Sequence, residues 1–185
     1  AAPFEEANAD LLARWAEFDQ PLHHSGADSS FKLDVKTNWK LAVENYSESY
    51  HLPWVHPGLN SYSRLEDHYY ICEYGKFSGQ GTLVYNPQLS DDGRAFPNFD
   101  GLSEKWDTGG EYVTAFPNVM IGVQRDHVFA ILLEPKSGNL VCAFGCDGRR
   151  HGRLEGCERQ NVERGFCRGC VRRRRHAKGP RRTEL

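Results

Sequence analysis

The segment 38–59 combines a helical hydrophobic pattern with two prolines and two histidines. Apolar residues recur at helical spacing over 38–50 without Gly or Pro, which predicts a helix there. Pro53 has no N–H, and its ring clashes with the carbonyl four residues earlier, so we expect the helix to break or kink at this proline. A regular helix would hold His51 and His56 about 140° apart, whereas a broken helix lets both imidazoles turn toward one point.

The side chains of this segment suit a metal site. Two neutral imidazoles suit Fe, Zn, Cu or Ni, and two His with one carboxylate is the pattern of non-haem Fe(II) oxygen chemistry. Glu48 lies three residues before His51, on nearly the same face of a helix. We interpret Glu48 as a residue that orients the His51 imidazole, and we assign Asn45 to the same outer layer of the site. The spacing alone leaves a second interpretation open, in which these are polar groups that satisfy one another at a helix end.

Length and charge set outer bounds. The chain has a formal net charge of −2. Its length of 185 residues is enough for one domain with a hydrophobic core. The sequence contains no apolar run long enough to cross a bilayer and no signal peptide pattern, so we expect a cytoplasmic location without membrane contact. The chain begins without Met and enters a helical pattern at once, and we therefore expect it to be a fragment of a longer protein.

The remaining hydrophobic patterns indicate a mixed fold. Residues 3–18 read as an amphipathic helix, and the segment 86–110 reads as a long loop. Short β-branched or aromatic runs predict six strands, over 31–35, 69–74, 82–85, 111–116, 119–123 and 127–133. An antiparallel set of strands with flanking helices predicts the α+β class. His68 is interpreted as an exposed residue at the start of a strand rather than as a further metal ligand.

One motif resembles a known family. The pattern Asn-Trp-Lys-x3-Glu-Asn-x2-Glu-x-Tyr-His-x4-His-Pro is similar to the iron-ligand signature of the Rieske non-haem iron oxygenases, the α subunits of ring-hydroxylating oxygenases. The resemblance implies that His51 and His56 bind mononuclear Fe(II). It also implies that Glu48 bridges toward the Rieske cluster of a neighbouring subunit and that Asn45 lies near the iron. Glu rather than Asp at position 48 resembles the branch of the family that oxidises quaternary ammonium compounds.

The resemblance covers roughly residues 4–138 and carries further expectations. It implies a curved antiparallel sheet gripping a long helix, with the iron at the open side of the sheet. The intact enzyme would take electrons from NAD(P)H through a reductase or ferredoxin and a Rieske [2Fe–2S] cluster. It would then activate O2 to hydroxylate or demethylate a small organic substrate, as a homotrimer. The Cys-x-His and Cys-x2-His pairs that hold a Rieske cluster do not occur in this sequence, so this chain is not expected to bind the cluster.

The composition changes abruptly near residue 139. Residues 1–139 hold 10 Lys or Arg and 20 Asp or Glu, whereas residues 140–185 hold 13 and 5, and five of the six cysteines lie in this last part. The family pattern stops after residue 138, where the sheet should be completed and a helix should supply an Asp as third iron ligand. No position matches that Asp, and we assign no third ligand. We therefore predict an incomplete catalytic domain over 1–138 that is inactive alone.

Residues 139–185 form an Arg/Cys-rich tail that we expect to be disordered or the product of a shifted reading frame. Two other interpretations stay open. The pairs Cys142-x3-Cys146 and Cys167-x2-Cys170 have the spacing of zinc ligands. The run 172–175 is four arginines, typical of a nucleic-acid-binding arm. Either would make the protein a non-enzymatic binding module with a zinc- or nucleic-acid-binding tail.

Overall fold

A computed structural model describes the backbone of residues 2–24, 30–61, 63–85, 97–137 and 140–149, and for 23–24, 30–31, 137 and 140–149 it describes the backbone only. The helices are α1 (Phe4–Ala7), α2 (Ala9–Arg14), α3 (Trp39–Ser47), α4 (Leu52–Val55) and α5 (Pro57–Asn60). The strands are β1 (His23–His24), β2 (Ser30–Val35), β3 (His68–Glu73), β4 (Phe77–Thr82), β5 (Gly110–Ala115), β6 (Val119–Gln124), β7 (His127–Ser137) and β8 (Leu140–Arg149). None of the helices in these ranges is long and apolar enough to span a membrane.

All eight strands belong to one antiparallel sheet. Its order is β1-β8-β7-β6-β5-β4-β3, and β2 also pairs with β8. The helices lie outside the sheet, with α3 in contact with β4, β5 and β7. The predicted α+β class with an antiparallel sheet and flanking helices is confirmed. The predicted strands at 111–116, 119–123 and 127–133 correspond to β5, β6 and β7.

The two faces of the sheet carry two hydrophobic clusters. Adjacent residues of a strand point to opposite faces, and in β6 Met120 belongs to one cluster while Val123 belongs to the other. The first cluster packs under α3 and is centred on Met120, Ile131 and Leu133. The second is formed by sheet residues, the N-terminal segment and the connection between β4 and β5. Its buried members are Leu11, Trp15, Phe18, Ile71, Phe77, Phe99, Trp106, Val113, Ala115 and Val123. The sheet is therefore covered on both faces.

The N-terminal helix is shorter than predicted. In place of one helix over 3–18 there are α1, α2 and a 3-10 turn at Ala16–Phe18. Asn8 interrupts the helix with φ −114° and ψ 18°, and its side-chain amide donates to the Phe4 carbonyl at 2.9 Å. A side chain that bonds to nearby backbone in this way competes with the helical hydrogen bonds.

Strand β4 lies five residues earlier than the predicted strand 82–85. Its sequence, Phe-Ser-Gly-Gln-Gly-Thr, has little of the β-branched and aromatic character that marks strands. Its glycines are needed for close packing instead. A Cβ atom at Gly79 would lie 2.1 Å from the carbonyl oxygen of Tyr112, and one at Gly81 would lie 2.2 Å from the Tyr69 ring. The hydrophobic pattern placed the strand too late in the chain. The residues of β4 are suited to close approach of neighbouring groups and do not show the apolar pattern of a strand.

Gly79→Ala is expected to destabilise the protein by about 1–3 kcal/mol, because the added methyl group meets main-chain atoms of β5 that cannot rotate away. Gly58→Ala is the matched control, since a Cβ there has no atom within 4 Å. In α5 it is expected to be neutral or to stabilise by up to about 1 kcal/mol. Urea unfolding of both variants measures the difference, and equal stabilities would contradict the close-packing argument.

The sheet continues past residue 138, where the sequence predicted a patternless tail. Strand β8 pairs with β7 on one side and with β2 and β1 on the other. The backbone of Cys142, for example, pairs with Glu134 on β7 and with Asp34 on β2. Strand β8 thus extends the sheet over 140–149, the first part of the segment for which the sequence predicted no regular structure. Pairing along both edges satisfies the strand's backbone hydrogen bonds whatever its side-chain pattern. Residues 150–185, which carry Cys167, Cys170 and the arginine run, lie outside the described residues.

Candidate metal centre

Helix α3 carries the predicted site toward the sheet. Asn38 caps its N-terminus, with the side-chain oxygen accepting from the Lys40 backbone N–H at 2.9 Å. Trp39, Val43 and Tyr46 on its apolar side pack on the Met120 cluster. This packing fixes the direction of the helix axis. The two histidines follow directly after the C-terminal end of α3.

The helix ends earlier than predicted, and proline is not the cause. Helix α3 stops at Ser47, and Glu48 has an extended backbone with φ −127° and ψ 159°. Pro53 lies in the first turn of α4, a position that tolerates its missing N–H. The predicted helix over 38–50 with a break at Pro53 is therefore wrong in its endpoint. The predicted change of chain direction near the histidines is nevertheless observed. It occurs at Glu48, five residues before Pro53.

Contacts with the sheet explain the early end. The Ser47 hydroxyl lies 3.1 Å from the Thr114 hydroxyl and donates to the Ser78 carbonyl at 3.4 Å. The Gln80 side-chain amide donates to the Glu48 carbonyl at 2.9 Å and to the Tyr46 carbonyl at 3.4 Å. The last carbonyls of a helix have no partner within it, and here a sheet side chain supplies one.

The short helix α4 brings the two histidines together. His51 precedes it and His56 follows it. Their ring centroids are 5.3 Å apart and the ring planes are inclined by 74°. Metal–nitrogen bonds to imidazole are about 2.1 Å long, so this separation suits two rings that face one ion.

Glu48 contacts His51 directly. One carboxylate oxygen lies 2.5 Å from Nδ1 of His51, and the other accepts from the His51 backbone N–H at 3.3 Å. A carboxylate can only accept, so Nδ1 carries the proton and Nε2 keeps its lone pair for a metal. The half-buried Asn45 does not join this pair, because its side chain makes no hydrogen bond to Glu48, His51 or any other described residue.

The second histidine favours the neutral form. The pKa of His56 is lowered from its usual value of 6.5, mainly by burial and to a smaller extent by the nearby His51. A neutral imidazole is the form that binds a metal. The electrostatics of the pair therefore agree with a ligand role near neutral pH.

The lowered pKa of His56 predicts an acid-sensitive stability. As the pH falls below about 6.5, the unfolded chain takes up a proton that the folded chain does not, so the free energy of unfolding decreases. The decrease stops once the pH lies below the folded-state pKa. Urea unfolding of the metal-free protein at about pH 7.5 and about pH 5.5 is expected to show a larger loss for the wild type than for His56→Gln. Equal losses in the two proteins would contradict the lowered pKa.

The donor set fits part of an iron site. The two imidazoles and the Glu48 that orients one of them match the nitrogen ligands and outer layer of a non-haem iron centre. A third protein ligand is not found among the residues that the structure describes, where no group of three His, Cys, Asp or Glu side chains converges. The carboxylates of the tail lie beyond that part of the chain, except Asp147, of which only the backbone is described.

His68 begins β3, as predicted, but it is half-buried rather than exposed, and its contacts leave no ring nitrogen for a metal. Its Nδ1 lies 2.8 Å from the Gln80 side-chain oxygen, and its Nε2 lies 2.9 Å from the Ser63 hydroxyl. Both ring nitrogens are thus engaged. Sequence reasoning missed Gln80 altogether, because it acts on residues more than thirty positions away and no local pattern signals this.

Comparison with known proteins gives consistent results. Residues 22–144 match the family described as ring hydroxylating alpha subunit, catalytic domain. Over 125 residues the chain is 26% identical to putrescine 2-hydroxylase of Ralstonia nicotianae, an alignment that covers 58% of this chain and 32% of that protein.

Solved structures share the fold. A quaternary ammonium Rieske monooxygenase, reported for carnitine oxidation by gut microbiota and inter-subunit electron transfer, superposes with a TM-score of 0.64 at 16% identity, covering 89% of this chain and 42% of that one. Naphthalene 1,2-dioxygenase from Rhodococcus sp. superposes with a TM-score of 0.57 at 16% identity, covering 83% and 42%. The chain thus spans about a third of the curated relative and about two fifths of these structures.

Proposed function

This chain belongs to the ring hydroxylating α-subunit family as part of its Rieske oxygenase catalytic domain, and we propose that it forms the mononuclear iron-binding portion of an O2-activating oxygenase. The observation that carries the proposal is the proximity of two imidazoles: the ring centroids of His51 and His56 are 5.3 Å apart. Glu48 is hydrogen-bonded to the His51 ring. Bound Fe(II) would supply the open coordination positions at which dioxygen is activated.

The side chains have separate tasks in this proposal. His51 and His56 hold the iron with ring nitrogens, and Glu48 keeps the proton on Nδ1 of His51 so that Nε2 stays available. Glu48 is also the proposed link to a Rieske cluster of a neighbouring subunit. In support, its side chain is 25% exposed and so reaches the surface next to the histidine. Asn45, in the last turn of α3, has no contact role in this proposal, because its side chain makes no hydrogen bond to Glu48 or His51.

The complete enzyme is proposed to need partners that this chain does not contain. These are a [2Fe–2S] Rieske cluster elsewhere in the full-length protein, a reductase or ferredoxin as electron donor, and further copies of the chain in a trimer. The chain by itself is therefore expected to be poorly active or inactive. The proposed substrate is a small organic molecule, either an aromatic or a quaternary ammonium compound. Relatives named for carnitine and for naphthalene support the two classes.

Metal content tests the proposed function. After anaerobic incubation with Fe(II) and removal of loose metal, the purified chain is expected to retain one equivalent of iron, measured by elemental analysis. Retention of zinc instead, lost in Cys167→Ala and accompanied by salt-sensitive nucleic-acid binding, would contradict the proposal and support the binding-module alternative.

A further inference from the structure

A continuous chain of polar side chains runs from β4 to the backbone of Glu48. It comprises Gln80, His68, Ser63 and Thr82. Gln80, Ser63 and Thr82 are buried, with 7%, 4% and 2% of their surface exposed. Most buried polar groups in proteins are hydrogen-bonded, and the direction of each bond in this chain follows from which of its atoms can donate and which can only accept.

The direction follows from the carbonyl groups at one end. The carbonyls of Glu48 and Tyr46 can only accept, so the side-chain nitrogen of Gln80 must face them and its oxygen must face His68. Nδ1 of His68 lies 2.8 Å from that oxygen and must therefore donate to it. His68 is thus protonated on Nδ1, and the Gln80 amide has one allowed orientation.

The other end closes in the same direction. In neutral His68, Nε2 accepts from the Ser63 hydroxyl at 2.9 Å. Ser63 in turn accepts from the Thr82 hydroxyl at 2.9 Å, and Thr82 accepts from the Val84 backbone N–H at 3.3 Å. Every donor has an acceptor, so the chain holds the Gln80 amide in its single orientation.

We propose that Gln80 and His68 are positioning residues for the Glu48–His51 pair. Gln80 tethers the main chain at the point where α3 ends and Glu48 turns into an extended conformation. The Glu48 carboxylate then reaches both the ring and the backbone of His51. This deepens the proposed function and rests on it, since the orientation of His51 matters only if that ring binds a metal.

Four variants isolate the positioning effect: Gln80→Glu and His68→Gln break the chain of hydrogen bonds, and His68→Asn and Val113→Ala are the controls. Gln80→Glu keeps the shape but removes the N–H groups that bond to the Glu48 and Tyr46 carbonyls. His68→Gln removes the Nδ1 donor, whereas His68→Asn can place an amide N–H near the Nδ1 position. Val113→Ala is the control for lost stability, because it opens a cavity in the hydrophobic cluster on the opposite face of the sheet from Gln80.

Two readouts are measured on the 185-residue chain. The first is the tautomer of His51, read from ring 15N chemical shifts of the metal-free protein. The second is the affinity for Co(II), a spectroscopic substitute for Fe(II). Gln80→Glu and His68→Gln are expected to give mixed His51 tautomers and Co(II) affinity lowered roughly 10- to 100-fold. His68→Asn and Val113→Ala are expected to keep the Nδ1–H tautomer and the wild-type affinity.

The outcomes separate this inference from the proposed function. Absence of Co(II) binding by the wild type would overturn the proposed function, while the tautomer measurement would still decide the positioning role. Retention of the Nδ1–H tautomer in both Gln80→Glu and His68→Gln would overturn the inference even if the wild type binds Co(II). An equal change in Val113→Ala would also overturn it, because lost stability would then be the cause.

Discussion

Replacement of His51 by alanine is expected to abolish stoichiometric Fe(II) binding, lowering the affinity at least about 100-fold. Loss of an outer-layer partner alone commonly costs 10- to 100-fold, and His51 is one of the two imidazoles at the proposed centre. His56→Ala is expected to have an effect of similar size. Anaerobic titration with Fe(II), followed by calorimetry or absorbance, measures the affinities of both variants.

A third histidine provides the control for this experiment. His127 lies at the start of β7, with Nδ1 2.9 Å from the Asp126 carboxylate, and is not part of the His51–His56 pair. His127→Asn is expected to leave the Fe(II) affinity within about threefold of the wild type. Iron binding that survives in both His51→Ala and His56→Ala would remove the basis of the proposed function.

Replacement of Glu111 by alanine is expected to have the largest effect on stability, about 3–5 kcal/mol. Glu111 is 3% exposed on β5 and accepts four hydrogen bonds. Two come from Arg14 at 2.8 Å each, one from the Trp15 indole at 2.7 Å and one from the Tyr69 hydroxyl at 2.8 Å. Burial, together with Glu111, raises the pKa of Tyr69 to about 12, so Tyr69 remains a donor throughout the neutral range.

The cost comes from groups left without partners. Truncation of Glu111 leaves a buried indole N–H and a phenol without acceptors, each about 1–3 kcal/mol, and removes the partner of a guanidinium. Arg14 is 37% exposed, so water offsets part of its loss. The ion pair of Asp10 and Lys76 also joins the N-terminal helix to the rest of the chain, but both side chains are exposed. Asp10→Ala is the matched control, with an expected loss under about 1 kcal/mol.

Urea unfolding of Glu111→Ala and Asp10→Ala measures the difference between a buried and an exposed anchor of the same helix. A loss for Glu111→Ala no greater than that for Asp10→Ala would show that the N-terminal helix is not held by this cluster. Glu111→Gln adds an intermediate case, because its amide oxygen can still accept from Trp15 or Tyr69 but carries no charge for Arg14.

Local patterns sufficed for several features of this protein. Strands β5, β6 and β7 were predicted within a few residues, because their apolar and β-branched residues pack on a buried sheet. A contact between Glu48 and His51 was also predicted, since three residues of spacing bring the groups close even though the helix ends just before Glu48. The match to a family signature rested on the same short segment.

Other features depended on contacts distant in sequence. The endpoint of α3 is set by Gln80 and Ser78 on β4, about thirty residues later, and β4 itself is defined by the close approach of Gly79 to β5. Strand β8 forms in a segment without strand alternation because neighbouring strands pair with both of its edges.

The sequence by itself therefore determined the family and the fold class, because each rests on residues adjacent in the chain or on a repeating pattern, and it singled out His51 and His56 as the candidate pair. Only the tertiary structure decided how Glu48 is held, what His68 does, and that Glu111 anchors the N-terminal helix. Apart from the His68–Ser63 bond, these depend on hydrogen bonds from side chains to side chains or carbonyls 12 to 97 positions away, and a directional bond across such a distance leaves no trace in local periodicity.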